Sequence, residues 1–173
     1  KDFILSTGIR YNYDEHYGSH VSPRIYGIYS LNDFFALKGG VSTGYATPDI
    51  KQRTQDLALP FAGGRGAQLG RSSLKPETSV SYEFGGVYNN NEGFETSLTG
   101  FYTSFKDMLS YNPICSRGSV CMHKGKIYPN GIWESINIGK AEIYGVELTN
   151  EWQVTNALRL NQSYVYTKSK QKD

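Results

Sequence analysis

The chain of 173 residues carries 18 Lys and Arg against 16 Asp and Glu, a net charge of +2, at a mean hydropathy of −0.49. No run approaches the roughly 18 apolar residues of a membrane helix, and so weak a basic balance, without a stacking-platform motif, excludes a nucleic-acid binder. The 14 Tyr and 19 Gly point instead towards strands and turns.

The first predicted strand starts near Phe3, where Phe3, Leu5, Thr7, Ile9, Tyr11 and Tyr13 alternate with Ser6, Arg10 and Asn12. A polar loop, DEHYGSH, covers 14–20. The second strand spans about 21–31, with Pro23 expected near its end or at a bulge. Asn32-Asp33 reads as a tight turn, and the third strand runs over 34–46. Residues 47–76 read as a long irregular loop. The fourth strand, LKPETSVSYEFGGVY (74–88), sets Val80, Tyr82 and Phe84 against Glu83. A turn at 89–93 leads to a fifth strand over 94–111, then a second long loop over 112–133. The sixth strand covers 134–152, with a bulge expected near Gly139. A turn at 153–156 precedes the last strand, 157–168.

Two regularities set the class. Connections after the even strands are short and those after the odd strands longer, which puts short turns at one end and long loops at the other. Mid-strand charges also keep one parity. Arg10, Arg24, Lys38, Glu83, Glu95, Glu147, Glu151 and Arg159 all fall opposite the apolar side. On a lipid face, Arg or Lys would cost about 2–4 kcal/mol at the midplane; facing a wet lumen they cost little. Tyr near strand ends resembles an aromatic girdle. The predicted class is therefore all-β, an antiparallel transmembrane barrel wall of about seven strands, and the chain reads as mature protein or a piece of a larger barrel. A soluble sandwich, such as a carbohydrate-binding domain, would also alternate, but its strands would be shorter. Glu83 and Glu147 pair with wall cations on one reading and contact a lumenal plug on another.

GVSTGYATPDI (40–50), LKPETSVSYEFG (74–85), NIGKAEIYGVELTNEW (137–152) and YDEHYGSHVSP (13–23) occur in order. Together they resemble the barrels of TonB-dependent outer-membrane receptors, above all the colicin I and catecholate siderophore receptors. The resemblance implies a single barrel domain over 1–173, part of a wall of about 22 strands, with the plug domain outside this chain. It implies uptake of ferric siderophores in the bacterial outer membrane, with iron only as cargo and no resident cofactor. It also implies energy from a TonB complex through an N-terminal region outside this chain, contact with outer-membrane lipid and lipopolysaccharide, and colicins or phage as further users. A passive porin or an adhesin-type barrel is the alternative.

Charge in the long loops fits that expectation. Residues 47–76 hold five cations and two acids, and residues 112–133 hold Arg117, Lys124 and Lys126 with no acid, so the loops sum to +6 and the remainder to −4. A positive mouth concentrates anions such as ferric catecholates, and Arg can stack on their rings. The candidate ligand residues are Arg53, Arg65, Arg71, Arg117, Lys124, Lys126 and Tyr128, with Phe61 as a further apolar contact. Cys115 and Cys121 suit a local disulfide and an oxidising compartment. His16 and His20 have a ligand-like spacing, but that spacing is informative on a helix and these lie on a loop, so no metal site is assigned. No nucleophile–base pair, phosphate loop or CxxC motif is present, so no catalytic residue and no enzyme activity are expected.

Overall fold

Period-2 alternation folds as the sequence predicts in the computed structural model, which describes residues 2–172. Seven long strands form one antiparallel wall: β1 (Phe3–Asp14), β2 (Gly18–Ser30), β3 (Phe35–Ala46), β6 (Glu77–Asn89), β7 (Phe94–Cys115), β10 (Ile132–Thr155) and β11 (Leu158–Lys172). Each pairs with the next in chain order. The long loops add α1 (Ile50–Arg53), a hairpin of β4 (Ala58–Phe61) with β5 (Gly66–Leu69), and a second hairpin of β8 (Met122–His123) with β9 (Lys126–Ile127).

A single rung crosses the wall through Phe3, Tyr29, Leu37, Gly86, Leu98, Leu148 and Tyr164. Partners on a rung share a face, so the register puts the eight mid-strand charges together on the polar face. The same rung meets β2 one residue before its end at Ser30, β6 three before Asn89, and β10 seven before Thr155. Since these three ends lie at one level, the rung climbs from β2 towards β11. That stagger is the strand tilt a barrel requires.

The sheet has no soluble core. Among the described residues seven apolar side chains are buried, and five of them form one cluster in the long loops. Ile9 is 80% exposed, Phe84 67% and Leu98 55%, which rules out a sandwich as the home of this face. At the short-turn end Phe35 packs on Tyr88, Tyr88 near Phe94, and Phe94 on Trp152, with centroids 4.7, 6.4 and 6.5 Å apart. Such a row of rings suits the headgroup level.

Several expectations are corrected. The first connection is three residues, Glu15 to Tyr17, because Asp14 closes it by accepting from the His16 and Tyr17 amides (2.8 and 3.1 Å). It falls within the two to four residues of the turns at the other end, so the loop asymmetry rests on the two long connections. Those are not structureless, and β7 and β10 reach 22 and 24 residues. The Asn32-Asp33 turn is a four-residue link, Leu31 to Phe34, in which Asn32 Oδ1 accepts from the Phe34 and Phe35 amides. The register passes Gly139 without a shift; the irregularity lies where Ile132 and Trp133 face Cys115 and Pro113. Pro23 sits within β2 opposite Ile9, without a bulge. It lacks an N–H, and the β2–β3 ladder stops at Arg24–Ser42, where Thr43 Oγ1 donates to the Pro23 carbonyl at 2.9 Å.

Close backbone approach explains two motif glycines. A Cβ on Gly145 would overlap the Tyr166 carbonyl, and one on Gly85 would overlap that of Leu98.

Candidate functional site

The site stands at the long-loop end, on a clamp built by three of the sequence motifs. Tyr17, from the β1–β2 link, donates its hydroxyl to the Leu74 carbonyl at 2.9 Å. Leu74 is buried, and the chain then rejoins the wall through Lys75 and Pro76. Asn137 on β10 holds that junction. Its Oδ1 accepts from the Lys75 amide (2.8 Å), and its Nδ2 donates to the carbonyls of Lys75 (2.9 Å) and Asp107 (2.7 Å). Asp107 has a positive φ of 54°, tolerable for Asp, and marks where β7 leaves β6 after the Thr78–Lys106 pair. Glu77 takes up the freed Leu109 amide at 2.8 Å. The Lys-Pro-Glu and Asn-Ile-Gly signatures are therefore two halves of one hydrogen-bonded joint.

Above the clamp the two long loops share one core. Pro48 precedes Asp49, whose carboxylate caps α1 at Gln52 while the Gln52 side chain returns to the Asp49 amide. Beyond α1, β5 adds to β10 in parallel, Ala67 with Ile132 through Leu69 with Glu134. Ala67, Leu69, Cys121, Tyr128 and Ile132 bury one another, with Ala58 and Cys115 against them. Phe61 meets Trp133 edge-on at 5.1 Å. The bonded Cys115–Cys121 pair is part of this core, and Cys121 is 1% exposed. The β8–β9 turn, Lys124-Gly125, has φ values of 48° and 80°, both left-handed as a two-residue hairpin of type I′ requires.

The candidate ligand residues separate into three groups. Arg53 and Arg71 are engaged: Arg53 lies 3.5 Å from Asp14 and over the Tyr17 ring, and Arg71 lies 3.6 Å from Glu134. Both acids stand outside the loop segments, so they reduce the loop charge of +6 to a local +4. The His16 and Tyr17 amides, with the Arg53 guanidinium, hold the Asp14 carboxyl below its ordinary value against an opposing desolvation. Burial pushes the Tyr17 phenol up. Arg65 and Arg117 are exposed, in the β4–β5 turn and the disulfide loop. Lys124, Lys126 and Tyr128 come together along a cleft of about 450 Å³ whose other wall is residues 54–58. Tyr128 is 6% exposed and belongs to the loop core. Lys126 lies over its ring at 5.3 Å, and Lys124 donates to the Asp56 carbonyl at 3.3 Å.

His123 also lines this cleft, and its buried Nε2 has no hydrogen-bond partner among the described residues. Sequence reasoning gave it no role; the Lys-Gly turn beside it was the available signal. His16 and His20 pack against Tyr17 and Tyr45, with centroids 4.7 and 4.0 Å away. On the polar face Arg159 pairs with Glu151 at 3.0 Å, Arg10 Nε donates to Asn12 (3.0 Å), and Glu95 accepts from Asn89 (2.9 Å). Among the described residues Glu83 and Glu147 form no ion pair.

A tilted antiparallel wall, ringed aromatics at one end, an ordered loop layer at the other and an outward apolar face define an outer-membrane β-barrel. The chain belongs to the TonB-dependent receptor family: the sequence model described as "TonB dependent receptor-like, beta-barrel" matches residues 1–173. It is 36% identical over 172 residues to the iron-regulated outer membrane virulence protein of Vibrio cholerae serotype O1, covering 99% of this chain and 26% of that protein. It is 27% identical to the ferric enterobactin receptor of Pseudomonas aeruginosa, over 94% of this chain and 22% of that one. Among solved structures, the siderophore receptor PirA of Pseudomonas aeruginosa superposes with a TM-score of 0.77 at 21% identity, over 98% of this chain and 32% of that one, which shows the fold. The chain thus spans about a quarter of the length of the curated relatives it matches.

Proposed function

We propose that this chain is the wall and loop layer of a receptor that takes up ferric siderophores of the catecholate class. The observation that carries this reading is the cleft between the two long loops, where Lys124 and Lys126 line one space beside His123 and Tyr128. A ferric tris-catecholate is a trianion with aromatic faces. A local charge of +4 favours its arrival, and a shared loop core fixes the backbone that carries the cations, which lowers the ordering cost at binding. The relatives' names, an iron-regulated outer-membrane protein and a ferric enterobactin receptor, support the same class. Iron is cargo here and no resident cofactor is required. Energy would reach the barrel through TonB from a region outside this chain, and colicins or phage would meet the same loops.

The test uses the full-length receptor. Replacing Lys124, Lys126 and Arg65 together by Gln should weaken ferric-catecholate binding by about tenfold or more at low salt, with a smaller loss as salt rises. Unchanged affinity at low salt would overturn the reading. Planar-bilayer recording addresses the porin alternative: the receptor should give no steady open channel.

A further inference from the structure

We propose that the lumenal face of β1 and β2 carries a site for a divalent tetrahedral oxyanion, inorganic phosphate or sulfate, held by Arg10, Asn12, Ser22 and Arg24. The site is on the inner face of the wall, apart from the crest cleft, and the proposal is independent of the ligand taken up there.

Register and parity bring the four residues together. Arg10 pairs with Ser22 across β1 and β2, and Arg24 pairs with Gly8, two residues nearer the short-turn end. Asn12 follows Arg10 on the same face, two residues nearer the long loops. Gly8 decides where Arg24 lies. A Cβ on Gly8 would be 3.3 Å from Arg24 Cγ and 3.7 Å from its Nε, so the Arg24 chain lies over Gly8 and leans towards β1. Two exposed arginines therefore share one patch.

Like charges side by side repel, and the wall brings them no acid. Among the described residues neither Arg10 nor Arg24 forms an ion pair. Asp14, the next acid along β1, is engaged by Arg53 and by the His16 and Tyr17 amides. Glu83 lines a hollow of about 280 Å³ together with Arg24 but forms no ion pair with it.

A second observation is independent of charge. Ser22 is 8% exposed, yet its hydroxyl has no hydrogen-bond partner among the described residues, and the buried Asn12 Nδ2 has none either. Asn12 Oδ1 already accepts from Arg10 Nε at 3.0 Å. His20, the rung partner of Asn12, stacks on the Tyr45 ring with centroids 4.0 Å apart. The patch is left with donors: the Arg24 guanidinium, the other N–H groups of Arg10, the Asn12 amide and the Ser22 hydroxyl. Donors with no free acid among them select an acceptor-only ligand, and the guanidinium fork matches an oxyanion. Charge then selects among oxyanions. Two guanidiniums balance a divalent anion, whereas one carboxylate leaves a charge over. Four donor groups from two strands also suit four oxygens better than two. Bound there, the anion neutralises the patch, so the upper lumen does not hold back an anionic cargo.

The experiment is isothermal titration calorimetry of the full-length receptor in detergent, with inorganic phosphate as titrant in low-salt buffer free of phosphate and sulfate. The parent should show one saturable site. Arg24→Gln should weaken it about tenfold or more, since hydrogen bonds to charged groups are the strong ones. Ser22→Ala should weaken it severalfold without changing any charge. Arg159→Gln, which removes a cation already paired with Glu151, should leave it unchanged. Acetate at equal ionic strength should bind far more weakly, and glycerol 3-phosphate no more tightly than phosphate. Equal binding of acetate, tighter binding of the ester, or unchanged affinity in Arg24→Gln and Ser22→Ala overturns the proposal. So does the absence of saturable binding, the result expected when a carboxylate from the rest of the receptor fills the patch. Should Arg24→Gln lose its heat-modifiable migration, Ser22→Ala decides alone.

Discussion

Asn137 is the residue whose loss should be felt furthest from itself. It makes three hydrogen bonds, one from the Lys75 amide and two to the carbonyls of Lys75 and Asp107. Each is worth about 1 kcal/mol net. Water can replace some of them at this rim, so Asn137→Ala should cost about 2 kcal/mol locally. That raises the opening constant of the joint by roughly 10- to 30-fold, since 1.4 kcal/mol is a factor of ten. Asn137→Asp should be worse at neutral pH. A carboxylate still accepts from the Lys75 amide but sets oxygen against both carbonyls. Protonation returns a donor, so part of the loss should be recovered as pH falls. Hydrogen exchange in the full-length receptor reads this directly at the Lys75 amide and at residues 67–69, which the loop carries onto β10. The Ala variant should exchange about tenfold faster at Lys75 while the β1–β2 ladder stays protected. Exchange within twofold of the parent would refute the idea that this side chain closes the loop junction.

Two further outcomes follow from the loop layer. Reducing the Cys115–Cys121 bond should add two hydrogens in mass and release a constraint of about 2 kcal/mol. Because Cys121 is inside the shared core, trypsin should then cut at Arg117 and Lys124 several times faster; an unchanged rate would separate the bond from the core. The Asp14 carboxyl sits below its ordinary value of 3.8, chiefly through the His16 amide, so its support of the β1–β2 link is fully present above pH 3.8 and lost as pH falls through the lower folded value. Protection of the His16 and Tyr17 amides should drop only in that acid window, and Asp14→Asn should remove the dependence.

Strand positions were legible because lipid and water impose opposite demands on alternate residues, and the alternation of Val80, Tyr82 and Phe84 with Glu83 records both. The same logic hid Lys106 and Lys140. They pair across β7 and β10 on the apolar parity and break it, near the end where β7 leaves β6. The fold of the long loops was not legible. Gly63-Gly64 marks a turn, but nothing local says that Ala67 through Leu69 will pair with Ile132 through Glu134, more than sixty residues on. The Asp49–Gln52 capping box was readable and went unread, since four residues of helix leave no periodicity. Basic loop residues could be counted but not sorted. Arg53 and Arg71 are silenced by acids from other segments, and Tyr128 is inside the core because two loops meet there.

The length of β7 and β10 has a consequence for how this surface meets the outside. From Phe94, in the aromatic row, to Cys115 is 21 residues, about 53 Å of height at a tilt of ~40°, against an apolar band about 25 Å tall. The wall thus rises as a parapet above the lipid phosphates, and the cleft of Lys124 and Lys126 sits on its crest. Any solute that reaches the cleft has already crossed much of the sugar layer around it, and anything large that binds the crest is held clear of the bilayer. Height, fixed by paired strands and not by loop flexibility, decides who gets access.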